Sequence, residues 1–233
     1  MPPVFPEPPE VSVDWPEVYR IVPSQYPPIN VFETIYESAD EMEIAFAIEA
    51  MTNRRLRHEA GEVQLVPRED WVWGPGASVI MACFTHTGRA SRFSDGTFGV
   101  YYGGESLATA VAETRYHREQ FLAATDEEDL EVTMRVYVNR VRATHRLRDL
   151  RGPRFARLLD PDNYAVPQAF GRRWRDKQAW GVVFPSVRRE GGLCIGVFRP
   201  PALTLPVPSA HLRYVWRRRE RRITGVFRID SVA

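Results

Sequence analysis

Residues 89–117 read Arg-Ala-Ser-Arg-Phe-Ser-Asp-Gly-Thr-Phe-Gly-Val-Tyr-Tyr-Gly-Gly-Glu-Ser-Leu-Ala-Thr-Ala-Val-Ala-Glu-Thr-Arg-Tyr-His. The period of the pattern changes inside this one stretch. Asp95-Gly96 is a turn signal between Arg92-Phe93 and the run Phe98 to Tyr102, and it predicts a hairpin. Directly afterwards Leu107, Ala110, Val111 and Thr114 share one side of a helix, predicted over Ser106 to Ala123. A strand segment handing over to an amphipathic helix needs a sheet for that helix to cover. Strand-like runs at Val132 to Val138, Trp180 to Phe184, Leu193 to Phe198, His211 to Trp216 and Ile223 to Ile229 supply one. Strands outnumber helices and do not alternate regularly with them, so the predicted class is α+β, a compact mixed β-sheet core with flanking helices.

Towards the amino terminus, Pro2, Pro3, Pro6, Pro8, Pro9, Pro16, Pro23, Pro27 and Pro28 remove too many N–H donors for a helix or a central strand, and predict an extended arm. Ser38 and Glu41 form a capping box, after which Ile44, Ala47, Ile48 and Met51 recur at helical spacing, predicting a helix from about Ala39 to His58. Its six carboxylates between Glu33 and Glu49 meet no basic residue between Arg20 and Arg54, which reads as a solvated face. Runs at Val63 to Val66 and Ser78 to Phe84, separated by Gly74-Pro75-Gly76, are expected as short strands. The acidic knot Asp126 to Asp129 is expected as a loop, and the basic cluster Arg217 to Arg222 as a solvated hairpin between two strands.

The length, 233 residues with 44% hydrophobic and 26% charged, fits an ordinary globular chain and excludes disordered and fibrous classes. Net charge is +1, which disfavours a whole-molecule polyanion binder, so no direct nucleic-acid contact is expected. Cys83 and Cys194 lie in apolar runs and are expected as buried thiols in a reducing compartment. No apolar run approaches a membrane span, and the amino terminus lacks the order of a signal peptide, so a cytoplasmic location without membrane contact is expected.

Several familiar sites are missing from the sequence: a Cys/His pair at metal spacing, a phosphate-binding glycine loop and a Gly-x-Ser-x-Gly elbow. What stands out is the concentration of reactive side chains in the opening stretch. Arg92 and Tyr102 fall where a hairpin can present a guanidinium and a ring to one cleft, and Glu113 falls near the apolar side of the helix. An arginine, an aromatic face and a half-buried carboxylate suit a phosphorylated ligand with a cationic or planar group. A structural Arg–Glu pair accounts for the same residues equally well.

Ser91-Arg92-Phe93-Ser94-Asp95-Gly96, then Gly99-Val100-Tyr101-Tyr102, then Ala110-Val111-Ala112-Glu113-Thr114-Arg115-Tyr116-His117 resembles the RES domain, a family of toxins from bacterial toxin–antitoxin pairs. The spacings of ten residues from Arg92 to Tyr102 and eleven from Tyr102 to Glu113 fit that family, and Phe184-Pro185-Ser186 supplies its downstream serine. The resemblance covers about Val79 to Pro201. It departs from the commoner Gly-Gly-Arg-Trp-Asn at Ala90-Ser91-Arg92-Phe93-Ser94, and the long amino-terminal region marks the longer branch of the family. On this resemblance residues 1–77 are an amino-terminal arm and helical extension packed on the core, and residues 78–233 the RES catalytic domain.

The resemblance implies a fold related to ADP-ribosyltransferase toxins and consumption of NAD as a substrate, with no metal expected. It implies catalytic roles for Glu113, Tyr102 and Arg92 and substrate binding by Arg92, Tyr102 and Ser186. Nicotinamide leaves NAD from a cationic ring nitrogen, so its departure needs no general acid, unlike ordinary glycosides with their paired carboxylates. The remaining oxocarbenium-like ribose needs a negative field, for which Glu113 is the candidate. Arg92 is assigned to pyrophosphate or an incoming phosphate, Tyr102 to stacking on nicotinamide, and Ser186 to hydrogen bonding of nucleotide or phosphate. The expected activity is NAD phosphorolysis or hydrolysis. Mono-ADP-ribosylation of a host metabolic enzyme is the alternative within enzymes, so the acceptor is water, inorganic phosphate or a protein. A non-catalytic interaction or DNA-binding module using Arg217 to Arg222 is the alternative of another class. The expected partner is a cognate helix-turn-helix antitoxin.

Overall fold

The computed structural model describes residues 6–26, 28–52 and 60–229. Within them nine strands form one sheet in the order β1-β5-β6-β7-β3-β2-β4-β8-β9. These are β1 (Glu10–Val11), β2 (Val18–Pro23), β3 (Tyr101–Gly104), β4 (Leu130–Asn139), β5 (Leu147–Asp149), β6 (Gly181–Pro185), β7 (Leu193–Val197), β8 (Val207–Arg217) and β9 (Arg222–Ile229). Neighbours are antiparallel except β5 and β6. The helices are α1 (Asn30–Glu33), α2 (Ala39–Thr52), α3 (Ala77–Thr85), α4 (Leu107–Ala124) and α5 (Ala165–Asp176). The class is α+β, with helices on both faces of a large sheet.

Alternation along the central strands sends successive side chains to opposite faces. Tyr101, Val183 and Ile195 join a core with α1 and α3, through Val31, Phe32, Ile80 and Met81. On the other face Val182, Phe184 and Cys194 pack with Phe93, Phe155, Phe170 and Trp174 under α5. Further along, α4 covers β2, β4 and β8 through Ala110, Leu122, Ile21, Met134 and Tyr214. The stretch of sheet between α4 and the α5 region, where β7, β3 and β2 lie side by side, is where the cleft forms.

Four expectations need correction. The amino-terminal segment is not an arm outside the sheet: Val18–Pro23 is an inner strand between β3 and β4. Its prolines flank or end the strand, and Val18 to Val22 keep every N–H donor. Ser78 to Phe84 is helical, not extended, as part of α3, and Val63–Leu65 is a single 3-10 turn. A continuous apolar run carries no period that separates a buried strand from a helix buried all round. What settles it is Glu33, whose carboxylate accepts from the Gly76 and Ser78 amides at 2.7 and 3.0 Å and so caps α3 from another part of the chain. The hairpin at Asp95-Gly96 is absent as a ladder. A tight turn closed by a Ser91–Ser94 bridge leads instead through bends to β3. Cys83, finally, is only partly buried, whereas Cys194 is buried.

Of the helix predicted to His58, α2 is described to Thr52 and the rest lies outside the described residues. The helix at Ser106 is as expected, with the Ser106 hydroxyl accepting from the Thr109 amide at 3.2 Å. The basic cluster between β8 and β9 is a hairpin laid against the acidic loop. Arg217 pairs with Asp129, and Arg218 with Asp126 and Glu128, so the two unlike charge runs neutralise each other.

Candidate active site

Five segments converge on a cleft of about 740 Å³: β2, β3, α4 and the loops around residues 89–92 and 161–164. That volume suits a small-molecule site. Arg92, Tyr102 and Glu113 all line it, although the predicted hairpin that was to bring the first two together does not form. Their meeting depends on two close approaches. A Cβ on Gly104 would stand 2.8 Å from the Ala110 amide, so glycine lets β3 run directly under α4. One on Gly171 would stand 2.0 Å from the Phe93 carbonyl oxygen, so glycine lets α5 seat the Arg92 turn.

The Tyr102 hydroxyl accepts from the Phe93 amide at 3.0 Å and shares a 2.9 Å hydrogen bond with the Ser91 hydroxyl. The phenol thereby clamps the turn that carries Arg92. Burial pushes its pKa up to about 12, so it stays protonated through the neutral range. Arg92 is itself buried. One terminal nitrogen donates to the carbonyls of Leu158 and Asp160 at 3.2 and 2.7 Å, and the guanidinium lies 4.7 Å over the Tyr164 ring. Its other nitrogens make no hydrogen bond among the described residues, which leaves donors for the cleft.

Glu113, on the inner side of α4, forms no ion pair among the described residues, with Arg92 or with any other cation. It is held by Ser186, whose hydroxyl donates to its Oε1 at 2.6 Å. That same oxygen of Ser186 accepts from the amides of Arg188 and Arg189 at 3.1 and 3.0 Å. Ser186 is therefore fixed at the back of the carboxylate and is not among the residues lining the cleft, where a nucleotide contact had been expected of it. Cys194 Sγ lies 3.9 Å from the same Glu113 oxygen, and burial first, then the nearby carboxylate, raises its thiol pKa. Among the described residues no three His, Cys, Asp or Glu cluster as a metal site would need.

Sequence reasoning missed Arg20 and Tyr164. Arg20 lines the cleft from β2, donates to the Tyr102 carbonyl at 2.9 Å, and stacks at 4.6 Å on Tyr101, while its Nε is buried without a partner. The signal available was an arginine inside the apolar strand-like run Val18-Tyr19-Arg20-Ile21-Val22, a buried polar group in need of a use. Tyr164 precedes α5 far along the chain, and nothing local marked it.

A family model of the RES domain matches residues 65–217, more than half of the chain. The uncharacterized protein y4oC of Sinorhizobium fredii (strain NBRC 101917 / NGR234) is 28% identical over 212 residues, covering 86% of this chain and 83% of its own. One chain of the crystal structure of the M. tuberculosis MbcT–MbcA toxin–antitoxin complex aligns at 14% identity with a TM-score of 0.40, over 56% of this chain and 74% of that chain.

Proposed function

The chain belongs to the RES domain family, and from that premise we propose that it is the toxin of a bacterial toxin–antitoxin pair, an enzyme that consumes NAD by cleaving the nicotinamide–ribose bond. The observation that carries this reading is Glu113: a carboxylate on the wall of the cleft with no cationic partner among the described residues, aimed by the Ser186 hydroxyl. A carboxylate spent on structure is held by a cation, as Asp70 is by Arg199, or by backbone amides, as Glu33 is at α3, and one left with neither is available to a cation that arrives or develops.

In the proposed reaction the C1′–N bond of the nicotinamide riboside breaks and its electron pair moves to the ring nitrogen. The pyridinium becomes neutral nicotinamide. Positive charge appears on the ribose, where the fixed carboxylate of Glu113 meets it without reorganising. A nucleophile then closes on C1′, with water giving ADP-ribose and releasing a proton to solvent, and inorganic phosphate giving its phosphorylated form. Arg92 contributes guanidinium donors for the pyrophosphate or the incoming phosphate. Tyr102, which is proposed to lie against the nicotinamide ring, also keeps the Arg92 turn in register. On family membership we also propose that a helix-turn-helix antitoxin covers this cleft in the producing cell.

Incubating the purified chain with NAD and measuring free nicotinamide tests the reading. Release is expected, and failure of a folded sample to release any overturns it. Stimulation by inorganic phosphate assigns the phosphorylase reaction. Label from NAD appearing on a protein band instead assigns the transferase.

A further inference from the structure

Glu113, Tyr116, His117, Gln120 and Phe121 line the cleft along α4 at spacings of i, i+3, i+4, i+7 and i+8, one continuous stripe of the helix. From the first to the last the helix rises about 12 Å. The two rings in the stripe are treated differently. Tyr116 has one face covered, with the Arg188 guanidinium carbon 3.3 Å from its centroid. Phe121 is more open: it is 39% exposed, and Arg89 and Arg118 make only longer cation–π contacts with it, at 5.7 and 5.5 Å. Among the described residues it is the one exposed large apolar side chain that lines this cleft. Neither Arg89 nor Arg118 forms an ion pair among the described residues. A partly exposed phenyl ring loosely flanked by two guanidiniums without carboxylate partners among the described residues, at the far end of a groove from a fixed carboxylate, suits a flat aromatic group that carries phosphate.

We propose that Phe121, with Arg89 and Arg118 beside it, seats the purine at the adenosine end of the dinucleotide. The helix then acts as a ruler, with Glu113 at the ribose whose bond breaks and Phe121 one nucleotide away. This rests on reading the cleft as an NAD site. The purine stacks on the phenyl face, and the guanidiniums border the base and take up charge from the adenosine-side phosphate. Binding energy gained there, remote from the reacting bond, holds the nicotinamide ribose against Glu113.

The test uses AMP as a probe of the purine seat and nicotinamide mononucleotide as a substrate that lacks it. Binding of AMP to the full chain is measured by calorimetry, and nicotinamide release is measured from NAD and from the mononucleotide. Phe121→Ala is expected to weaken AMP binding and lower kcat/KM for NAD by about 5- to 150-fold, the range for losing one base–aromatic stack. Turnover of the mononucleotide is expected to stay unchanged, and Phe121→Tyr is expected to retain AMP binding. AMP binding that is absent, or that is equal in the wild type and Phe121→Ala, overturns the proposal. So does a loss on the mononucleotide equal to that on NAD. If AMP binding depends on Phe121 but NAD releases no nicotinamide, the purine seat stands and the proposed reaction falls.

Discussion

Asp70, 2% exposed, accepts hydrogen bonds of 2.7 Å on each oxygen from the forked guanidinium of Arg199, which in turn stacks 4.1 Å over Trp180. Glu113 accepts only from neutral groups, the Ser186 hydroxyl at 2.6 Å and more weakly the Cys194 thiol at 3.9 Å, and lines the cleft. The Asp70 carboxylate raises the pKa of Arg199 by hydrogen bonding, and the two charges finish each other. Asp70 fastens the segment before α3 to the chain just after β7, a structural use of charge in which each carboxylate oxygen has a charged donor. At Glu113 the same functional group is left unfinished, within a cleft where Arg92 and Arg20 likewise keep nitrogens without partners among the described residues. The difference teaches what sets Glu113 apart from the carboxylates that hold the fold: Asp70 meets a guanidinium and Glu33 the α3 amides, whereas Glu113 meets neither a cation nor a backbone amide among the described residues.

Breaking the finished pair should have the largest effect on the molecule. Asp70→Ala leaves Arg199 without its partner and should lower stability to denaturant by about 3–5 kcal/mol, while turnover per folded molecule stays at the wild-type level. Unchanged stability would remove Asp70 from its anchoring role. Glu113→Gln should show the mirror pattern. The amide still accepts from Ser186 and fills nearly the same volume, so the thermal midpoint should hold, while nicotinamide release falls about 10²- to 10³-fold. A variant that melts early yet keeps the activity of its folded fraction would move Glu113 into the class of Asp70.

A smaller effect is expected behind the carboxylate. If Ser186 acts through Glu113 as a positioning residue, as its hydrogen bond to the carboxylate suggests, Ser186→Ala should lower kcat about tenfold with KM for NAD little changed. Ser186→Thr should recover most of the loss. A rise in KM with kcat intact would mean instead that Ser186 touches the substrate. The least effect should come from the exposed charges at the β8–β9 hairpin. Arg218→Ala removes pairs to Asp126 and Glu128 whose side chains are 67% and 80% exposed, and should cost below about 1 kcal/mol, shrinking further at high salt. A larger loss would mean that solvent screening fails to explain the contrast with Asp70.

Within the cleft, legibility followed chain distance. Arg92, Tyr102 and Glu113 fall inside one stretch of 22 residues and could be singled out together, although the hairpin was misread and the family resemblance supplied their roles. Ser186 was found only by family resemblance, and its contact with Glu113 spans 73 residues. Arg20 went unread because prolines on either side masked a strand whose own donors are intact.

By itself the sequence determined the amphipathic helix α4 with its Ser106 cap, the carboxy-terminal strands and the α+β class. These follow from periodicity and local capping, which are written in adjacent residues. Only the tertiary structure decided that Val18–Pro23 lies inside the sheet, that Ser78 to Phe84 is helical, and that Glu113 keeps no cation while Asp70 takes one. The physical reason is shared by all three. Strand neighbours, the Glu33 cap on α3 and the partner of a buried charge are each supplied by residues distant in the chain, and such pairings leave no local period or composition behind.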